Sequence, residues 1–125
     1  MEVGVEEKAS KLAIEERHVD DVVVLSLKGE MTLDDGELKF GRLVDDLLKK
    51  GQRKILVDLA GMTYIDSAGV GMMVFEWKAV HARGGALKLL SLTGHGQRLL
   101  ALVKLMTVFE VFDDEAMAVR SFARN

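Results

Sequence analysis

The chain contains no cysteine and no proline. Without cysteine there is no disulfide framework, no thiolate nucleophile and no zinc–cysteine site. Without proline, chain reversals rest on the 12 glycines. The three histidines, His18, His81 and His95, lie far apart and never form the i, i+4 pair that binds a metal from one helix face. No metal or other cofactor is therefore expected. Basic residues are not in excess: the formal net charge is −3. That argues against nucleic acid as the main partner, since phosphate binding needs a basic surface. No apolar run approaches the ~20 residues of a membrane-spanning helix. Met1 to Lys11 is rich in Glu and Lys and has no signal-peptide core. The expectation is a cytoplasmic chain with no direct membrane insertion.

What is present fits one domain. The 125 residues are 49% hydrophobic and 30% charged, a globular balance. A chain of this size buries well over half of its unfolded surface and needs no covalent staple. Residues 1–11 are expected to be flexible, with the domain spanning 12–125. Hydrophobic period separates the elements. Lys11 to Arg17 reads as a weak strand and Val22 to Leu27 as a strong one. Thr32-Leu33-Asp34-Asp35 is a helix start signal, Phe40, Leu43, Val44, Leu47 and Leu48 follow at helical spacing, and Gly51 is the stop. Lys54 to Leu59 reads as a buried strand and Gly61 to Asp66 as a loop. The second helix carries Val70, Met73, Val74, Trp77 and His81 on one face. Ala86 to Leu92 is the next strand, and His95 to Leu105 a third helix with Leu99, Leu102, Val103 and Met106 on a stripe. Val108 to Phe112 is a last strand, after which Asp113 caps a helix bearing Ala116, Met117, Val119 and Phe122. The order β-β-α-β-α-β-α-β-α implies an α/β fold with a mostly parallel sheet and crossover helices.

The chemically informative segment is Met62 to Gly71, at a strand-to-helix junction. A hydroxyl at or beside a helix N-cap faces first-turn N–H groups that have no internal partner. The helix dipole adds about half a positive charge there, so a phosphate on Ser67 would be accommodated. Gly69 and Gly71 would leave the approach open. Ser and Asp are also ordinary N-caps, and glycines are ordinary loop residues. Spacing alone leaves both readings standing.

Asp66-Ser67-Ala68-Gly69-Val70-Gly71 closely resembles the Asp-Ser-(Ser/Thr/Ala)-Gly-(Leu/Val)-Gly signature of STAS domains, the sulfate transporter and anti-sigma factor antagonist family. Gly29-Glu30-Met31 resembles the family's Gly-Glu-Leu, and Ile55 to Leu59 its strand before the signature. Leu105 to Phe112 resembles its Leu-x-x-x-Phe-x-x-Phe ending, with Asp114-Glu115-Ala116 opening the last helix. The similarity runs from about Leu12 to Phe122. It implies the STAS fold: a four- to five-stranded mixed sheet with about four helices. In the family, the serine after the aspartate is phosphorylated by a partner that is both anti-sigma factor and serine/threonine kinase. The resemblance therefore implies Ser67 as the phosphorylation site. The unphosphorylated chain would bind that kinase and free the sigma factor, and a serine phosphatase would reset phospho-Ser67. Expected partner-binding residues are Glu30, Thr32, Asp66, Ser67, Ala68, Gly69, Met72 and Phe75. The family's frequent aspartate two residues after Glu30 is Thr32 here, and the following helix carries Gly36 and Gly41.

Met72 and Phe75 fall off the apolar stripe of the second helix, so they are either an exposed contact beside Ser67 or covered by a neighbouring helix. Trp77 reads as core, and His81 as a polar helix-end residue. Asp58 is expected at its strand's end or hydrogen-bonded there, since an isolated buried charge is expensive. Asp20-Asp21 reads as a turn. Enzyme readings are weak. A nucleophile elbow needs glycine where Ile65 stands, and no histidine is placed by sequence to activate Ser67. The phosphate-accepting receiver fold would need an acidic pair after its first strand and a lysine after its last, but Asp20-Asp21 precedes a strand and Asp113 follows Phe112. No catalytic residue is expected. Within the STAS family two alternatives stand: a stressosome-type scaffold, and a small cytoplasmic subunit of a lipid-transporting ABC system.

Overall fold

The computed structural model describes residues 10–33, 35–90 and 109–124. Five strands form one sheet in the order β1-β2-β3-β4-β5. They are β1 (Leu12–Val19), β2 (Val22–Met31), β3 (Lys54–Ile65), β4 (Ala86–Leu90) and β5 (Val111–Phe112). Three α-helices occur among the described residues: α1 (Glu37–Lys49), α2 (Ser67–Ala82) and α3 (Glu115–Ser121). The expected helix over His95 to Leu105 lies outside the described residues, as do 91–92 of the fourth strand and Val108 of the last.

β1 pairs antiparallel with β2, as two strands joined by the short Asp20-Asp21 turn must. Asp20 supplies the left-handed residue of that turn, with φ 55°. Every other pairing is parallel. Steps from β2 to β3 to β4 run in one direction across the sheet. Right-handed crossovers therefore place α1 and α2 on the same face. The core agrees. Val23, Leu25 and Leu27 of β2 and Ile55, Val57 and Leu59 of β3 pack with Phe40, Val44 and Leu47 of α1 and Val70, Met73 and Val80 of α2. The alternate residues Val22, Val24 and Leu56 point to the other face and meet Ala118 and Phe122. This two-sided burial explains the unbroken apolar runs of β2 and β3.

Several boundaries depart from expectation. The start signal at Thr32 does not begin α1. Thr32 and Asp35 instead exchange backbone hydrogen bonds of 2.8 and 2.9 Å, closing a tight turn, and Gly36 stands at the N-cap. The segment Gly61 to Asp66 is not a loop, because β3 continues to Ile65. It does so through two bulges: β3 uses an extra residue opposite Ser26–Lys28 and another opposite Gly29–Glu30. Asp58 lies at the first of these rather than at the strand's end. Its carboxylate accepts the Ala60 N–H at 2.9 Å and the Ser26 hydroxyl at 3.3 Å, which accounts for a charge in this strand. On α3 the cap is Asp114, not Asp113, and the buried side chains are Ala118 and Ser121, with Phe122 just beyond. Of the expected stripe, Phe122 is buried and Val119 half-buried, whereas Ala116 and Met117 are exposed, Met117 at 54%. Ser10 and Lys11 are tied to the domain, since the Ser10 hydroxyl and the Lys11 N–H both donate to the Asp35 carboxylate.

Candidate functional site

The signature segment lies where parallel strands end. β2 and β3 finish side by side at Met31 and Ile65, and the carboxyl ends of parallel strands are where α/β folds place their sites. Asp66 follows β3 and caps α2. Its Oδ1 accepts the Gly69 N–H at 2.9 Å. Its Oδ2 accepts the Leu33 N–H of the β2–α1 turn at 3.0 Å. One carboxylate thus closes the helix end and fastens the neighbouring turn to it. These two amides, Leu33 first and Gly69 second, hold the Asp66 carboxyl below its ordinary value.

Because Asp66 is the cap, Ser67 is not needed for that task. Ser67 is the first residue of α2, it is exposed, and its hydroxyl makes no hydrogen bond with any described residue. Of the two readings open in the sequence, the plain cap belongs to Asp66 alone. Beside it stand Glu30, half-buried at the end of β2, and Thr32, half-buried in the turn. Ala68 is half-buried as well.

Gly69 does not keep an approach open. It is buried, and a Cβ there would come within 2.6 Å of the Met31 carbonyl oxygen and 2.7 Å of Ile65 Cγ1. Its role is close packing: it lets the first turn of α2 lie directly on the ends of β2 and β3. Gly71, by contrast, faces open space. Met72 and Phe75 separate. Met72 is half-buried against α1, where its sulfur lies 2.8 Å from the position a Gly41 Cβ would take. Phe75 is 61% exposed. The stripe of α2 also differs from the expected one. Val70 and Met73 are buried, but so are Glu76 and Val80, whereas Val74 and Trp77 are half-buried and His81 is exposed.

Two exposed apolar side chains near the signature escaped the sequence reading, Leu33 at 64% and Tyr64 at 52%. Leu33 sat in what read as a helix start and Tyr64 in what read as a loop, so neither had a face to be assigned to. Phe75, further along α2, is another large apolar side chain exposed on the described chain. Groups for nucleophilic or metal chemistry are not assembled among the described residues. No cluster of three or more potential metal ligands occurs there. His18 contacts Glu16 at 2.8 Å and His81 contacts the Gly85 carbonyl at 3.2 Å at the far end of α2. His95 lies outside the described residues. No helix among the described residues is long and apolar enough to cross a membrane.

The fold and junction define a small α/β domain that presents an unbonded hydroxyl at a capped helix start, flanked by apolar contacts. The STAS domain family model matches residues 13–118, and the chain belongs to that family. A Thermotoga maritima protein provisionally named an anti-sigma factor antagonist is 30% identical over 106 residues, covering 85% of this chain and 94% of the relative. The crystal structure of a Thermotoga maritima protein likewise provisionally named an anti-sigma factor antagonist superposes with a TM-score of 0.76 at 29% identity, covering 88% of this chain and 94% of that one. The anti-sigma F factor antagonist of Paenibacillus polymyxa is 22% identical over 86% of this chain and 92% of its own length. The anti-sigma factor antagonist SpoIIAA in its unphosphorylated form has the same fold, with a TM-score of 0.68 at 19% identity over 87% of this chain and 96% of that one.

Proposed function

We propose that this chain is an anti-sigma factor antagonist working by partner exchange in the cytoplasm, without catalytic activity of its own. Unphosphorylated, it binds an anti-sigma factor serine/threonine kinase through the surface around Ser67, and the sigma factor is released. Phosphorylation of Ser67 ends the association, and a serine phosphatase restores it. The observation that carries the reading is the division of labour at α2: Asp66 makes the cap bonds, which leaves the Ser67 hydroxyl exposed and unbonded. The names of the Thermotoga and Paenibacillus relatives support the same class.

The energetics suit a switch. Phosphate adds about −1.5 to −2 charges at neutral pH. The helix N-terminus stabilises such a charge by about 0.3–1 kcal/mol, so the free domain tolerates it. A docked partner must instead accommodate the bulk and a desolvated anion. A loss of about 3–4 kcal/mol weakens binding a few hundred-fold. The test is to recover the bound kinase by pull-down from the native host and measure its affinity with and without stoichiometric phosphate on Ser67. Ser67→Ala should bind persistently and Ser67→Asp poorly, both folded. Equal affinities, or phosphate found only elsewhere, would overturn the mechanism. Recovery of a stressosome assembly or of an ABC permease instead would point to the scaffold or transporter-subunit role.

A further inference from the structure

The seam between α1 and α2 holds a group that neither the fold nor the site around Ser67 uses. Glu76 occupies the buried stripe of α2 between Met73 and Val80, where helical period calls for an apolar side chain, and it is 1% exposed. Its carboxyl crosses to α1 and lies against Gly41. A Cβ at Gly41 would come within 3.3 Å of Glu76 Oε2, so the bare backbone provides the room that the carboxyl fills. Asp45, one turn further along α1, is close enough for its side chain to act on the Glu76 carboxyl. Glu76 Oε1 has no hydrogen-bond partner.

Two neighbouring carboxylates repel unless one is protonated, and here one has also lost its water. Glu76 is the buried one, so burial favours the neutral form there. Burial first, then the Asp45 charge, push the Glu76 carboxyl up to about 8. Among the described residues, the other sides of the seam do not compensate. Beneath α2 the core presents Val57, Leu87 and Leu89, all apolar. Lys49 of α1 and Arg83 of α2 line the outer groove of the seam with Asp45 and Phe75, and neither is paired with Glu76.

We propose that Glu76 is a proton-dependent latch between α1 and α2, in which the protonated carboxyl closes the seam and loss of its proton swings α1 away. The consequence reaches the site whether or not Ser67 is modified. α1 follows the Thr32–Gly36 turn, which Asp66 fastens to the start of α2 through the Leu33 N–H. Opening the seam therefore pulls on that bond and changes how Leu33 and Ser67 are presented together.

The experiment uses the full chain labelled with carbon-13 and nitrogen-15, titrated from about pH 5 to about pH 10. Two units above its midpoint a carboxyl is about 99% ionised, so the range covers the whole transition. The Glu76 side-chain carboxyl carbon should titrate near 8, with the Gly41 and Met72 amides shifting at the same midpoint. Because the chain has no cysteine, spin labels on Asp46→Cys and Lys78→Cys, both exposed, report the helix separation directly. That distance should lengthen above the midpoint and stay constant in Glu76→Gln, which cannot ionise. Asp45→Asn, a surface change that leaves the core intact, should lower the Glu76 midpoint while burial keeps it above the ordinary carboxylate range. Titration of Glu76 near 4.5, or titration near 8 with no response of Gly41 and no change in helix separation, would overturn the latch.

Discussion

Replacing Asp66 by alanine separates two functions that one carboxylate performs. The N-cap bond to Gly69, 2.9 Å long, is of the kind whose loss costs about 1 kcal/mol. The second bond, 3.0 Å to the Leu33 N–H, is charge-assisted and contributes about another 1 kcal/mol after allowance for its partial exposure. Loss of the anion from the positive end of α2 adds a few tenths of a kcal/mol. Asp66→Ala should therefore destabilise the domain by about 2–3 kcal/mol, a large share of the roughly 5–15 kcal/mol typical of a domain. Asp66→Asn keeps one acceptor oxygen and turns an NH2 toward the other amide, so it should lose about 1–2 kcal/mol.

The pH dependence has a definite sign. The folded carboxyl lies below its ordinary value, so its stabilisation is fully present above the unfolded value of 3.8 and is lost as pH falls through the folded value. The gap between the native chain and Asp66→Asn should be constant near neutrality and shrink in acid. Urea denaturation followed by the fluorescence of Trp77, the single tryptophan, measures all of this. An Asp66→Ala loss under about 0.5 kcal/mol would refute the clamp, since it would mean that neither bond holds in solution. Loss of Leu33 amide protection in Asp66→Ala, with α2 still formed, would identify the turn as the part released.

Gly69→Ala should cost about 1–3 kcal/mol by overpacking, because the new methyl meets the Met31 carbonyl, which cannot rotate away. A thermal melt within error of the native chain would show that α2 shifts freely on the sheet. Lys88, 2% exposed in β4, donates to the Ser121 hydroxyl at 2.9 Å, pairs with Glu110 at 3.1 Å and lies 4.6 Å from the centre of the Phe122 ring. Lys88→Ala should therefore loosen α3 at a cost of about 2–4 kcal/mol, whereas Lys88→Met, which refills the space without a buried charge, should cost about 1 kcal/mol or less. Equal losses by denaturant titration would mean that charge rather than packing holds α3.

The sequence by itself determined the order of the described elements, the mostly parallel sheet and the position of Ser67 at a helix start. Each of these rests on local information: hydrophobic period, β-branched runs and a six-residue signature. Tertiary structure decided the rest. Thr32 carries a helix start signal, yet its backbone pairs with Asp35 and α1 begins at Glu37. Gly61 to Asp66 reads as a loop, yet β2 is close enough to hold it as strand as far as Ile65 through two bulges. Gly69 reads in the sequence as leaving an approach open and Gly41 as a glycine within a helix, yet both are close contacts, because what lies opposite them comes from other elements. Glu76 is the clearest case. A helix pattern assigns a glutamate to solvent, and only the approach of Gly41 and Asp45 on another helix buries it. A residue's own neighbours in the chain set its secondary structure, but the dielectric around it and the groups it must face are set by elements that meet only in the fold.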